Sequence, residues 1–222
     1  EILDRDVLPG ESTPDGALQE SWISVEIDRE SDATDLVAIE SRIQQVLADV
    51  RATVEDWPAM QAKLVEVKSE IETAAGVSDR ERREAIEFLN WLTENHFTFV
   101  GYADYDLTKN VLSRVSGSEL GTLRNPDDGN PISKNEQDHS SISSLMVVTK
   151  ARMRSTVHRP VFLDYVGIRR VDASGNQIGE HRFLGLFSSS AYNQSVTNIP
   201  VLSSKVADVT ASMALGRDSH SG

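Results

Sequence analysis

The sequence predicts an α+β protein whose helices and strands are segregated along the chain. Two observations carry this. Apolar residues recur at three and four over most of residues 36–92, and from Phe97 the period drops to two. Runs of helix followed by runs of strand, with no alternating strand-helix series, point to α+β architecture with an antiparallel sheet.

The front of the chain comes first. In "QESWISVEID", residues 19–28, Ile23, Val25 and Ile27 fall on one face and Trp22, Ser24, Glu26 and Asp28 on the other, the alternation of a half-buried strand. "PGESTPDG" before it is turn-rich and could join it to an earlier strand near Ile2–Leu8. Asp32 or Thr34 then opens a helix. Its stripe of Leu36, Ile39, Ile43, Val46, Leu47, Val50 and Val54 is expected to face inward. Pro58 is expected to break or kink it, because proline removes an N–H and crowds the preceding turn. A second stripe follows in Met60, Leu64, Val67, Ile71 and Ala74, with Gly76 as the C-terminal cap. Ser78 and Glu81 form a capping-box pattern that starts a third helix, with Ala85, Phe88, Leu89 and Leu92 inward.

The strands follow. "FTFVGYADYDL" places Phe97, Phe99, Gly101, Ala103 and Tyr105 on one face, and "VLSRV" is its partner after a "TKN" turn. Residues 116–141 are polar and rich in Gly, Pro, Asp, Asn and Ser, a long loop with a short element near Glu119–Leu123. "SLMVVTKA", "RPVFLDYVGIRRV" and "QIGEHRFLGLFSS" read as further strands, the last two joined by a "DASGN" hairpin turn. About five strands result. Pro200 to Met213 reads as a closing helix.

Composition excludes several functions. The net charge of −13 argues against nucleic acid, since phosphate neutralisation needs a basic surface. The charge is uneven: residues 1–60 carry 15 acids and 4 bases, whereas residues 151–222 carry 5 acids and 8 bases. With no cysteine there is no disulfide and no thiolate chemistry, which fits a cytoplasmic protein. No apolar run approaches the roughly 20 residues that span a bilayer, so no membrane is expected. No G-x-G-x-x-G or P-loop is present, so no nucleotide cofactor is expected within this chain. The chain opens on Glu1 rather than Met and reads as a piece of a longer one.

The residues with most chemical potential lie in "STVHRPVFLDYVGIRRVD", Ser155 to Asp172, and in "GEHRF", where His181 and Arg182 repeat a His-Arg pair. If the "DASGN" turn closes the hairpin, facing residues sum to about 348. His181 then faces Gly167, Arg182 faces Val166, Tyr165 faces Phe183, and Asp164 faces Leu184. On that register His158 and His181 lie roughly 30 Å apart along the ladder at about 3.3 Å per residue, which argues against a shared metal. Ser155, His158 and Asp164 can be drawn as a hydrolytic triad, but His158 and Asp164 would sit about 20 Å apart on a straight strand. Arg170 is expected to pair diagonally with Glu180, and Asp164 to find its partner in Arg182. Gly167 and Gly185 mark a bulge, or close approach of a ring or backbone, or relief of crowding beside His181 and Leu163. Arg159, Arg169 and Arg182, with His158, His181 and Asp164, remain as candidates for an anion, an effector or an interface, because guanidinium forks suit carboxylates and phosphates.

Three long strings resemble a known family. "RSTVHRPVFLDYVGIRRVDASGNQIGEHRFLGLFSSSAYNQSVTNIPVLSSKV", Arg154 to Val206, is similar to the N-terminal region of the large NAD-specific glutamate dehydrogenases of bacteria. So are "EAIEFLNWLTENHFTFVGYADYDL", Glu84 to Leu107, and "ESWISVEIDRESD" near the start. The resemblance implies a non-catalytic regulatory and assembly segment of a parent enzyme that uses NAD to oxidise L-glutamate to 2-oxoglutarate and ammonia. It implies a partial ACT-like strand-helix unit over 1–56, a helical connector over 57–79, a PAS-like sheet flanked by helices over 80–195, and a C-terminal helix and tail over 196–222. It also implies the rest of the parent chain as partner, a homo-oligomer, and an amino acid or 2-oxo acid as possible effector. None of the family's glutamate-binding lysines or dinucleotide glycines matches a position here. A purely structural oligomerisation module is the alternative.

Overall fold

The computed structural model describes residues 24–124, 144–195 and 199–200. The chain divides into two compact units, Glu1–Ser41 and Arg42–Gly222. The expected strand near Ile2–Leu8 and the closing helix over 200–213 fall outside the described residues, apart from Pro200, as does most of the loop 116–141.

Of the strand expected over 19–28, residues 19–23 lie outside the described residues; residues 24–28 are neither helix nor strand, and Val25 and Ile27 are exposed. The alternation there is real, but among the described residues nothing pairs with it, and a lone extended segment leaves its N–H and C=O groups to water. Asp32 is the residue that opens the helix: its carboxylate accepts from the Thr34 N–H at 2.7 Å.

That helix, α1, runs Ala33–Thr73 without interruption, with Pro58 inside it. The expected break at Pro58 is therefore corrected. The proline lacks its own N–H but the turns on either side are each tied to the sheet. Met60, Leu64, Val67 and Ile71 pack into the core after it. Before it, the buried residues are Asp49, Thr53 and Asp56. The apolar stripe of this half, expected to face inward, mostly faces water instead: Ile43, Leu47, Val50 and Val54 are exposed and Val46 is half-buried, and Trp57, outside that stripe, is exposed beside them.

Local backbone demand explains the inversion. The strand β1, Phe97–Thr108, carries a bulge between Phe99 and Gly101. Opposite it the two-residue strand β3, Leu120–Gly121, comes close, since a Cβ on Gly121 would lie 2.2 Å from the Val100 carbonyl oxygen. The groups left over at this edge need polar partners. The Asp56 carboxylate accepts from the Gly121 N–H at 2.7 Å and pairs with Arg124. The Thr53 hydroxyl donates to the Asp49 carbonyl at 2.8 Å and reaches the Val100 carbonyl at 3.3 Å. The Thr156 hydroxyl donates to the Asp49 carboxylate at 2.6 Å.

Gly76 follows α1 with φ +70, and its Cα side lies against Gly175 of a hairpin turn, also at positive φ; a Cβ on either would meet the other's Cα at 3.0 Å. Helix α2, Asp79–Trp91, starts with the expected capping box between Ser78 and Glu81. Burial opposes, but the Ser78 hydroxyl leads the hydrogen bonds that hold the Glu81 carboxyl below its usual range. A kinked turn, Leu92–His96, with Asn95 at φ 62, leads into β1.

The remaining strands are β2, Val111–Arg114, β4, Met146–Arg154, β5, Phe162–Val171, and β6, Gln177–Phe187. They form a curled antiparallel sheet in the order β2-β1-β6-β5-β4, with β3 also on β1. The short helix α3, Ser189–Asn193, is capped by Ser188 and was not evident from the sequence.

Two registers differ from expectation. In β1 the bulge splits the predicted face, so Phe97 and Phe99 join Tyr102 in the core under the helices, while Val100, Ala103 and Tyr105 join the core on the other side. In the β5–β6 hairpin the turn closes with Val171 opposite Gln177, as a sum of 348 requires. Ile178 is then an extra residue, and beyond it Arg170 faces Gly179, Ile168 faces His181 and Asp164 faces Gly185. One bulged residue shifts every later pair by one.

Candidate functional site

The shifted register sets Asp104 of β1 beside His181 of β6 under the helices. His181 is buried, with Nδ1 2.6 Å from Asp104 Oδ1 and 2.9 Å from the Tyr102 hydroxyl. The Tyr102 hydroxyl donates to Asp104 Oδ1 at 2.7 Å. From above, Glu70 of α1 places Oε2 3.0 Å from His181 Nε2. Each imidazole nitrogen thus faces a carboxylate, which fixes the ring plane. Burial pushes the Tyr102 phenol far up, helped by the Asp104 hydrogen bond. For Asp104 burial acts upward, but hydrogen bonds from His181 and Tyr102 outweigh it and hold the carboxyl below its usual range.

A cavity of about 220 Å³ opens beside this cluster. Glu70, Ile71 and Thr73 of α1 line one wall, and Arg169, Arg170 and Asp172 line the other, with His181 between. Arg170 is held in place across β6: its Nη1 donates to Asp106 Oδ1 of β1 at 2.8 Å. Gly179 permits the crossing, since a Cβ there would lie 3.1 Å from that nitrogen. The Arg169 Nε is buried with no hydrogen-bond partner among the described residues. The arrangement can hold and orient a small polar group. Among the described residues no three His, Asp or Glu converge as a metal site.

A second buried polar group lies on the opposite face of the sheet. The Arg182 guanidinium is fully buried, 3.7 Å over the Tyr105 ring and 5.7 Å from the Tyr165 ring. Its Nε donates to Glu180 Oε1 at 3.3 Å. Burial raises the Glu180 carboxyl above its usual range, against the opposing charge of Arg182. Gly167 makes room here: a Cβ would lie 2.4 Å from both Glu180 Oε1 and the Tyr165 hydroxyl.

With this geometry in view, the relatives are decisive. The chain is 36% identical to the NAD-specific glutamate dehydrogenase of Halomonas elongata over 97% of its own length. It is 36% identical to that of Pseudomonas aeruginosa over 98%, and 31% identical to that of Mycobacterium tuberculosis over 92%. The chain is a segment of the large bacterial NAD-specific glutamate dehydrogenase family. It spans only 12–14% of the length of these relatives. No family model matches the chain.

Within this glutamate dehydrogenase segment the six candidate residues do not form one site. His181 and Arg169 meet at the cavity. Arg182 lies on the other face, bound to Glu180. Arg159 and Asp164 instead grip one residue: Arg159 Nη2 donates to the Phe187 carbonyl at 2.7 Å, and Asp164 Oδ2 accepts from the Phe187 N–H at 3.1 Å. His158 is exposed on the loop before β5 with φ 69. The expected Asp164–Arg182 pair is replaced by Lys150, whose Nζ is 2.5 Å from Asp164 Oδ1, because the register sends Arg182 through the sheet to the far side. The expected Arg170–Glu180 pair fails for the same reason, the two side chains falling on opposite faces. Ser155 is engaged with Val157, donating to its carbonyl at 2.6 Å, so the drawn triad has each member occupied elsewhere or in solvent.

Glu70, Tyr102 and Asp104 were missed. Asp104 carried a signal, an acid within an otherwise apolar strand pattern, but only the bulge reveals which face it shares.

Proposed function

We propose that this segment is a non-catalytic regulatory and assembly part of a large NAD-dependent glutamate dehydrogenase. The parent would oxidise L-glutamate to 2-oxoglutarate and ammonia in the cytoplasm, with NAD held by other parts of its chain. The observation that carries the proposal is the match itself, nearly all of this chain against about one seventh of relatives named for that activity. The antiparallel sheet flanked by helices supports a PAS-like reading of residues 80–195. We read residues 1–56 as part of an ACT-like module, 57–79 as connector and 196–222 as a C-terminal helix and tail.

The cavity beside His181 is the place for an effector. Its Arg169 and Arg170 suit a carboxylate, and Glu70 and Asp172 suit an ammonium, so a free amino acid or 2-oxo acid is the class it would take. The isolated chain should form no NADH from L-glutamate and NAD, and measurable turnover would overturn the non-catalytic reading. Thermal unfolding with amino acids and 2-oxo acids tests the effector. A stabilisation by one of them that disappears in Arg170→Ala is expected, and no shift with any of them removes the cavity from the account.

A further inference from the structure

The inversion of α1 leaves an apolar surface that the sheet domain does not use. Within the unit Arg42–Gly222, Ile43, Leu47, Val50, Val54 and Trp57 are 47%, 50%, 36%, 69% and 53% exposed. At about 100° per residue, the seam they form is turned roughly 100° from the face made by Asp49, Thr53, Asp56 and Met60, which is buried on the helix's own sheet. The spacing along the seam is four, three, four, three. That is the 3.5-residue repeat of a helix that packs along another helix, narrower than the stripe a helix lays on a sheet. These five side chains leave on the order of 500 Å² of largely apolar surface in water, within the roughly 300–600 Å² of the largest patch on a typical monomer, a patch that is often functional. Two such seams facing each other would bury about 1,000 Å², the lower bound for a specific interface.

We propose that the Ile43–Trp57 seam of α1 is a self-association surface that pairs with the same seam of a second copy of this chain. The pair is parallel. Asp49, Thr53, Asp56 and Met60 fasten one flank of each helix to its own sheet. Antiparallel helices would bring the two fastened flanks together and force both sheets onto one side of the pair. Parallel helices send the sheets to opposite sides, related by a two-fold axis along the seam. Ile43, Val50 and Trp57 then meet their own counterparts, with Leu47 and Val54 between. The inference rests on the assembly half of the function proposed above. The two fail differently: turnover by the isolated chain sinks that function and leaves the helix pair standing, whereas a monomeric chain sinks the helix pair alone.

Light scattering of the 222-residue chain over a concentration series is the test. Reversible formation of a dimer is expected, with the double variant Leu47→Asp, Val54→Asp monomeric throughout. Both residues are exposed, so the variant should keep the near-ultraviolet circular dichroism of the folded sheet domain. Because the chain has no cysteine, Val50→Cys gives an unambiguous second reading: mild oxidation should yield a disulfide-linked dimer if the helices run parallel and in register. A wild-type chain that stays monomeric overturns the proposal. So does association that the double variant leaves intact, or a Val50→Cys chain that dimerises without cross-linking. Protection of the seam in the full-length enzyme while the isolated chain is monomeric would assign it to another part of the parent polypeptide, which also overturns the pairing.

Discussion

Asp104 shows how a single side chain can be decided by competing terms. Burial alone would raise its carboxyl, yet His181 and Tyr102 supply hydrogen bonds that only the anion accepts fully, and the net shift is downward. A carboxyl lowered in the folded state contributes stability that is complete above its ordinary value of 3.8 and is lost as pH falls through its folded value. Asp104→Asn removes that contribution. The variant should therefore be less stable by about 1–3 kcal/mol at neutral pH. The gap to the wild type should shrink below the ordinary carboxylate range. Urea midpoints of both proteins across pH measure this, and a gap that stays constant on acidification would show that the charge of Asp104 is not what binds the cluster. Glu180 is the counter-example on the other face. There burial prevails over the Arg182 charge, so its shift is upward and its anionic form costs stability as pH rises.

At the scale of elements, α1 separates what can be read from sequence from what cannot. Its start at Asp32, the capping box of α2 and the strand boundary at Phe97 follow from local rules that the folded chain obeys, whereas its continuity through Pro58 does not. The face that α1 buries does not. Thr53 and Asp56 look like a solvated side until the bulge at Val100 and the close approach of Gly121 create backbone groups that need polar partners, and Asp49 until the loop before β5 brings the Thr156 hydroxyl onto it. The hairpin register was legible up to one residue: the turn is where the sequence places it, but nothing in "QIGE" marks Ile178 as the bulge that moves His181, Arg182 and Asp164 to their final neighbours. Gly167 and Gly185 were more readable. A ring lies against each, Tyr165 against the first and Phe97 against the second, as small residues among large ones suggested. The role of Asp56 can be checked directly. Asp56→Ala strands the Gly121 N–H and leaves Arg124 with Glu55 as its remaining carboxylate partner, and should cost about 2–3 kcal/mol in denaturant unfolding. A cost under about 0.5 kcal/mol, the size of an ordinary surface substitution, would mean that the polar face of α1 is not what holds it to the sheet.

For the whole molecule, the pattern is a sheet domain with its own core and a long helix that offers a second, apolar surface outward. The sheet needs α1 beyond Met60 and uses only polar groups of α1 before it. The chain matches a minor part of much longer relatives, so the proposed assembly role has to be tested in the full-length protein. The most direct measurement places Leu47→Asp and Val54→Asp in the full-length enzyme and follows its mass by light scattering together with its NAD-linked turnover of glutamate. A smaller assembly whose subunits still turn over is expected. An unchanged mass with turnover abolished would contradict it, placing this segment in the chemistry rather than in assembly.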